Sequence, residues 1–247
     1  MIIFDEKKYA EKILEEGFSR FMSLKDLIIL SKYYSYLDNS SIQIKKNLIG
    51  FCKKYNPEFN NIIWDWKIDK AISSGKKYGL RFEQKVNISK KEIEFIKTLK
   101  NYKLEKILFV MIVVAKFFRR NKNELYINAN IGDIFNLAKI RADRTEKNQM
   151  IYKLNTSGYI KATLVGSFKI ELDNIDSKNN DNNDHIVVND FDNIVSFYPV
   201  TCISCGIAII NKSKRHDFCD NCYKDFRKED VRNNVQKYRK NTKNNDM

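Results

Sequence analysis

Apolar residues recur every three to four positions through the first third of the chain, as they do in amphipathic helices. Residues 5–16 show this period between charged positions. Ser23 precedes a second apolar-periodic segment, and Ser40 or Ser41 precedes a third. A serine at such a position accepts hydrogen bonds from the first N–H groups of a helix. A fourth helix is predicted over residues 62–73, before a turn at SGKKYG, residues 74–79.

Part of this helical region resembles a known module. Residues 38–81 are similar to the small helical module that follows the catalytic domain in some phage and plasmid primases. The shared features are a serine-capped helix, a proline, and a second helix with spaced apolar and basic positions. The matching positions are Pro57, Ile68, Ala71 and Lys77. No catalytic primase residues accompany the module, and a generic helical hairpin also explains the pattern. We assign residues 1–84 to an N-terminal helical domain.

The next segment contains the most apolar stretch of the chain. Residues 89–92, SKKE, form a capping box for a helix that runs to about residue 100. A long helix is predicted over residues 102–120, with ILFVMIVVA between Lys106 and Lys116. This run is far shorter than the ~20 residues that cross a bilayer, so we expect the helix to lie at the centre of a core.

Residues 124–172 predict a short strand, two helices and a β-hairpin in that order. The second helix covers residues 144–155, and Gly158 is expected to end it as a C-cap. This order resembles a winged helix-turn-helix domain. The run L-x-x-x-G-Y-I at residues 154–160, which connects the second helix to the hairpin, carries most of the resemblance. We assign residues 85–200 to this winged-helix-like domain.

Two further segments complete that domain. Residues 174–184 form a polar, acidic loop of low complexity. Residues 185–200, HIVVNDFDNIVSFYPV, return to strand character and predict a hairpin around residues 189–193. We expect this hairpin to extend the sheet of the wing.

A winged helix reads duplex DNA with its second helix, while the wing contacts the backbone. Arg, Asn and Gln are the side chains that reach base edges, and Lys suits phosphates. The candidate contacts of this domain are Arg141, Arg144, Lys147, Asn148, Gln149, Lys153, Lys161 and Lys169. The alternative is that these helices pack in a larger core or dock a protein, without contacting DNA.

The C-terminal region, residues 201–247, contains four of the five cysteines in the spacing C-x2-C-x13-C-x2-C. They are Cys202, Cys205, Cys219 and Cys222. Two C-x-x-C turns supply four thiolates for a tetrahedral Zn²⁺, and a closed four-cysteine site is structural. This is the pattern of a zinc ribbon. Two disulfides, a redox C-x-x-C and an iron–sulfur cluster are the alternatives. The fifth cysteine, Cys52, is expected to be an inert core thiol.

A dense run of basic residues accompanies and follows the ribbon. Apolar positions recur among them at helical spacing, which predicts a basic amphipathic helix able to lie along a phosphate backbone. The candidate contacts are Lys214, Arg215, Arg227, Lys228, Arg232, Lys237, Arg239 and Lys240. The alternative is a solvated helix that caps the ribbon. Ribbon and tail together resemble C-terminal zinc ribbons of phage and mobile-element proteins from low-GC Gram-positive bacteria.

Charge and missing motifs narrow the class of function. Lys and Arg number 45 against 31 Asp and Glu, and the net charge of +14 favours a polyanionic partner. The chain has 2 histidines and no P-loop, G-x-G-x-x-G or H-E-x-x-H motif, so we expect no enzymatic activity. An N-terminus without a signal peptide, together with clustered thiols, predicts a cytoplasmic protein.

The fold expected from these patterns is mainly α with a small β component, in three parts. The expected function is non-catalytic nucleic-acid binding in a phage or mobile element, acting in transcriptional control or replication. Double-stranded DNA is the favoured ligand and RNA the alternative. The alternative function is a phage-encoded inhibitor or adaptor that binds a host nucleic-acid machine, such as a polymerase or a CRISPR-type defence complex.

Overall fold

A computed structural model describes most of the chain and divides it into two compact units, residues 1–194 and 195–247. The described residues are 1–18, 23–119, 124–163, 167–171, 185–199, 222–228 and 231–232. They are mainly helical, as the sequence predicts. Within them, no helix is both long and apolar enough to cross a membrane. The boundaries predicted after residues 84 and 200 stay predictions.

Four helices open the first unit. They are α1 (Glu6–Glu16), α2 (Leu24–Tyr36), α3 (Ser41–Tyr55) and α4 (Asn61–Lys77). Ser23 caps α2 as predicted, and of the two serines predicted for α3, Ser40 is the cap and Ser41 the first helical residue. Each capping side chain accepts a hydrogen bond from the third residue of its helix. The inner faces of the helices bury one apolar core, in which Leu27, Leu48 and Ile68 are fully enclosed.

The turn predicted at residues 74–79 is wrong, since α4 continues through it to Lys77. Gly75 is buried where α4 crosses α2, and a Cβ atom there would lie 2.4 Å from the Oγ of Ser31. The glycine therefore permits close contact between two helices. A glycine in a helix has lower intrinsic helix propensity, and here that cost is offset by packing.

A buried ion pair joins α1 to α2 and to the chain that leaves α4. The Nζ of Lys32 donates to both carboxylate oxygens of Glu6, at 2.9 and 2.8 Å. The backbone N–H of Arg81 donates to the same carboxylate at 2.9 Å, and the N–H of Glu6 donates to the Arg81 carbonyl at 2.9 Å. Glu6 is thus fully engaged although it is buried, as a buried charge requires.

The rest of the first unit surrounds one apolar helix. Its elements are β1 (Val86–Ser89), α5 (Lys90–Lys97), α6 (Tyr102–Phe117), β2 (Tyr126–Ile127), α7 (Ile131–Leu137), α8 (Arg144–Thr156), β3 (Ile160–Ala162), β4 (Phe168–Ile170) and β5 (His185–Val188). The predicted capping box of Ser89 and Glu92 is present at the start of α5. Helix α6 is buried along nearly its whole length and contacts α5, α7 and α8, as its composition predicts.

Strands β2, β3 and β4 form an antiparallel sheet in the order β2-β4-β3. Gly158 ends α8 with a φ of 77°, as predicted. The N–H of Tyr159 donates to the Leu154 carbonyl at 3.0 Å, and the N–H of Gly158 donates to the Asn155 carbonyl at 3.1 Å. These two bonds form a Schellman motif, which directs the chain from α8 into β3.

The hairpin predicted around residues 189–193 is wrong. Strand β5 pairs antiparallel with β1, with Val188 opposite Val86, and does not join the sheet of β2, β3 and β4. The Asp190 side chain accepts hydrogen bonds from the N–H groups of residues 192 and 193, which turns the chain locally. A 3-10 helix, Ile194–Phe197, follows. The predicted acidic loop, residues 174–184, lies outside the described residues.

In the second unit, the structure describes residues 195–199, 222–228 and 231–232. Residues 222–228 and 231–232 are helical, within the segment where the sequence predicts a basic helix. The Nζ of Lys228 lies 3.6 Å from the Asp225 carboxylate.

Candidate nucleic-acid interface

Helix α8 is set in place by its cap and by a narrow apolar face. Asp143 and Glu146 form a capping box at its N-terminus. Ile151 and Leu154 are buried and hold the helix against the core. Because these two residues lie one turn apart, the opposite side of α8 faces solvent along its length.

The exposed side of α8 carries uncharged side chains that can donate and accept hydrogen bonds. Thr145, Gln149 and Tyr152 recur at intervals of three to four residues, and Asn148 lies beside them. Tyr152, at the C-terminal end of this stripe, is 68 % exposed. Thr145 and Tyr152 were not among the sequence candidates. Their helical spacing opposite Ile151 and Leu154 is the signal that identifies them.

The predicted basic residues around α8 divide into two groups. Arg141, Arg144 and Lys153 are exposed, as is Asn148. Lys147 is half-buried, and its Nζ lies 5.8 Å from the ring centroid of Phe135. A cation over an aromatic face stabilises the packing of α7 against α8, so Lys147 has a structural contact in addition to any ligand.

The sheet adds a second row of side chains. Tyr126, Lys169 and Lys161 lie opposite one another across β2, β4 and β3. Lys161 is exposed, whereas Lys169 is half-buried between Glu124 and Glu171, with its Nζ 3.8 and 3.9 Å from their carboxylates. The charge of Lys169 is therefore largely balanced inside the sheet. A hydrogen bond with Glu124 raises the pKa of Tyr126 above its ordinary value.

The tip of the hairpin, residues 164–166, lies outside the described residues. The base of the hairpin is closed by Thr163, whose N–H donates to the Ser167 carbonyl at 2.9 Å. The described part of the sheet thus presents Lys161 next to the end of α8. The N–H of Ala162 also donates to the Asn155 side chain at 3.2 Å, which connects the hairpin to the helix.

Most of the predicted zinc site and basic tail falls outside the described residues. This holds for the ligands Cys202, Cys205 and Cys219 and for Lys214, Arg215, Lys237, Arg239 and Lys240. Cys222 is half-buried at the start of the helical residues 222–228. Arg227, Lys228 and Arg232 are exposed. Within the part of the chain that the structure describes, no three metal-ligating side chains come together.

Cys52 is a core residue, as predicted. It is fully buried on α3, and burial raises its pKa to about 12. Because the thiolate is the reactive form, this cysteine should react with neither metal nor electrophile near neutral pH.

A second exposed surface lies on the outer side of α4 and was not predicted. Ile62, Ile63 and Trp66 form an apolar patch, with Ile62 88 % and Trp66 58 % exposed. The neighbouring carboxylates of Asp65 and Asp69 each lie 2.8 Å from the Nζ of Lys45. Lys45 therefore balances much of the negative charge next to the apolar patch. Its sequence signal is the set of apolar residues out of phase with the buried face of α4.

Comparison of this chain with protein-family models, with curated proteins and with solved structures gives no match. The resemblances described from the sequence stay predictions.

Proposed function

We propose that residues 102–171 form a winged helix-turn-helix domain and that the protein binds duplex DNA through α8. The order α6, β2, α7, α8, β3, β4 supports this proposal, because it is the order of that fold. The strand order β2-β4-β3 supports it further, since the two wing strands pair with each other and the strand after α6 lies at the edge.

The observation that carries the proposal is the chemistry of the exposed side of α8. Thr145, Asn148 and Gln149 offer hydrogen bonds without charge, next to the exposed cation of Arg144. Asn and Gln form paired hydrogen bonds with adenine, and Arg does so with guanine, in the major groove. Arg141, Lys153 and Lys161 would contact phosphates on either side and supply affinity independent of sequence.

The proposal includes a structural Zn²⁺ held by Cys202, Cys205, Cys219 and Cys222. The sequence spacing supports it, and the metal would fold the C-terminal region around its basic residues. Such a region would add phosphate contacts to those of α8. A non-catalytic protein with these parts fits a role in transcriptional control or replication of a phage or mobile element.

Selection from a random duplex library tests the DNA-reading function. We expect an enriched sequence, and for it the Gln149→Ala and Arg144→Ala variants should lose about 1–3 kcal/mol of discrimination against single-base mismatches. Lys161→Ala and Lys237→Ala are the matched controls. They should weaken binding to all sequences equally and reduce the salt slope by about 1. A library that yields no enriched sequence contradicts the proposal.

The metal is tested by zinc analysis and thiol titration of the folded protein. We expect one Zn²⁺ per chain, and a chelator should release it and expose four reactive thiols at pH 8. Cys222→Ser should lose the metal, whereas Cys52→Ala should keep it. Retention of full zinc content by Cys222→Ser would contradict the proposed ligand set.

The apolar patch of Ile62, Ile63 and Trp66 favours a second candidate function, an adaptor or inhibitor that binds a host nucleic-acid machine. Exposed apolar patches of this kind mark protein contact sites. The wild-type chain should still capture a host protein after nuclease digestion, whereas the Ile62→Asp and Trp66→Asp variants should not capture it. Capture that depends on nucleic acid, or that persists in both variants, contradicts this function.

A further inference from the structure

Three aromatic side chains are exposed at the C-terminal ends of α2 and α4 and on the chain that follows α4. Tyr36, at the C-terminus of α2, is 50 % exposed, and Tyr78 and Phe82 are 48 % and 45 % exposed. The rings of Tyr36 and Phe82 are in contact, with centroids 5.7 Å apart and planes at 66°. Tyr78 lies four residues before Phe82 on the same segment. We call Tyr36, Tyr78 and Phe82 the ring surface.

Positive charge accompanies the ring surface. The Nζ of Lys7 lies 5.8 Å from the Tyr36 centroid, and that of Lys77 lies 5.2 Å from the Tyr78 centroid. Lys76 and Lys85, at the two ends of the same segment, are also exposed. The Nζ of Lys7 also lies 3.9 Å from the exposed carboxylate of Glu11. Residues 76–85 contain four basic residues and a single acidic one, Glu83. The ring surface therefore combines flat apolar faces with a local excess of positive charge.

The chain that carries Tyr78 and Phe82 has no regular secondary structure but is firmly anchored. The N–H of Arg81 donates to the buried carboxylate of Glu6, and the Arg81 guanidinium lies 4.5 Å from the ring centroid of Phe118. The Nε2 of Gln84 donates to the Phe117 carbonyl at 3.2 Å. These contacts anchor the backbone at Arg81 and the side chain of Gln84, which lie on either side of Phe82. The ring is thus held at the surface before any ligand arrives, which lowers the entropic cost of binding.

We infer that the ring surface binds single-stranded nucleic acid by stacking bases on Tyr36, Tyr78 and Phe82, with phosphates placed against Lys7 and Lys77. Exposed rings next to cations are the features of single-strand sites, because every base has an aromatic face and every nucleotide a phosphate. A duplex already stacks its bases internally, so it gains nothing from these rings. The inference rests on the proposed function in taking nucleic acid as the partner. It adds a second site with a different substrate class.

Fluorescence anisotropy with a labelled oligo(dT) of about 20 nucleotides tests the inference on the full chain. Loss of one stacking ring should weaken single-strand binding between about 5-fold and 150-fold in Phe82→Ala and in Tyr36→Ala. Trp66→Ala is the matched control, since it removes an exposed aromatic ring from a different surface, and it should leave the affinity unchanged. Lys77→Ala should reduce the slope of log affinity against log salt by about 0.7.

A duplex-binding assay on the same variants separates the two proposals. Phe82→Ala should bind duplex DNA like the wild type, while Gln149→Ala should bind oligo(dT) like the wild type. Circular dichroism should show each variant folded, since the replaced rings are about half exposed. Photocrosslinking with an iodouridine-containing strand should place the crosslinks at Tyr36, Tyr78 or Phe82.

Two results would overturn the inference. One is that the wild type does not bind oligo(dT), or that the wild type, Phe82→Ala and the double variant Tyr36→Ala/Phe82→Ala bind it equally strongly. The other is an acidic peptide that requires these rings for binding while the oligonucleotide does not, which would assign the ring surface to a protein partner. In either case, sequence-specific duplex binding that depends on Gln149 would leave the proposed function standing.

Discussion

Helices α4 and α8 are both amphipathic, but their solvent-facing sides differ in chemistry. The outer side of α4 presents Ile62, Ile63 and Trp66, whereas that of α8 presents Thr145, Gln149 and Tyr152. Apolar side chains on the solvent-facing side of a helix do not stabilise it unless a partner covers them. A helix that reads base edges needs polar side chains on that side. The contrast is the basis of the two candidate functions proposed above, one for each helix.

The inner sides of the two helices differ as well. Helix α4 buries Ile68, Ala71, Ile72 and Gly75, and its small residues let it approach α2 closely. Helix α8 buries only Ile151 and Leu154 among its described side chains. We therefore expect substitutions in and around α4 to affect stability strongly, and substitutions on α8 to affect ligand binding.

The largest expected effect concerns the buried ion pair beneath α1 and α2. Glu6→Ala leaves the Lys32 ammonium buried without its carboxylate, which should lower the free energy of unfolding by about 3–5 kcal/mol. Urea denaturation measures it. Glu11→Ala removes an exposed carboxylate 3.9 Å from Lys7 and should cost less than about 0.5 kcal/mol. Equal losses in the two variants would show that the buried pair does not stabilise this region.

A pair of glycines tests the close approach of α4 to α2. Gly75→Ala should destabilise the protein by about 1–3 kcal/mol, because the new Cβ would overlap the Oγ of Ser31. Gly50→Ala, in α3, has no atom within 4 Å of the new Cβ and should stabilise the protein by about 0.5–1 kcal/mol. Thermal or urea unfolding of both variants checks the predicted opposite signs. A stabilising Gly75→Ala would contradict the packing of these helices.

A smaller effect is expected at Tyr9, whose hydroxyl donates to Asp26 at 2.9 Å. Tyr9→Phe should cost about 1 kcal/mol at pH 7. Burial and this bond raise the pKa of Tyr9 to about 12, above its ordinary value near 10. The stabilisation is therefore complete below about pH 10 and is lost as the pH rises through 12.

The free energies of unfolding of the wild type and of Tyr9→Phe, measured between pH 7 and pH 12, check this dependence. The deficit of Tyr9→Phe should shrink over that window. Tyr152→Phe, on the exposed side of α8, should differ from the wild type by less than about 0.5 kcal/mol at pH 7. A deficit of Tyr9→Phe that stays constant to pH 12 would contradict the role of the hydrogen bond.

The smallest changes in stability are expected on the two exposed sides themselves. Trp66→Ala on α4 and Tyr152→Ala on α8 should each alter the free energy of unfolding by less than about 0.5 kcal/mol. The two variants should impair different activities: Trp66→Ala should impair protein capture, and Tyr152→Ala should impair duplex binding. If either variant impairs both, the two surfaces do not serve separate partners.

Local sequence signals predicted much of the fold. Ser23, Ser40 and Ser89 mark helix starts, and Gly158 marks a helix end, because caps depend on residues only a few positions away. Gly75 was misread because its role depends on Ser31, more than forty positions earlier in the chain. The sequence pattern within one segment does not show which residue of another element packs against a glycine.

The candidate site shows the same limit. Helical spacing identifies which residues of α8 face outward, and it would have added Thr145 and Tyr152. The settings of Lys147 and Lys169 depend on Phe135 and on Glu124, which belong to neighbouring elements. The ring surface likewise requires Tyr36 and Phe82 to meet across a long stretch of sequence. Charge and residue type alone could not distinguish these lysines from exposed ones.

The pairing of β1 with β5 has a consequence for how the chain reaches its native state. These strands are separated by roughly a hundred residues, so closing them costs loop entropy that no earlier contact in the sheet offsets. During synthesis, the backbone groups of β1 that pair with β5 stay unpaired until β5 has left the ribosome. The helices at the N-terminus can assemble long before that moment. We therefore expect completion of this two-stranded sheet to be the slow step in folding of the first unit.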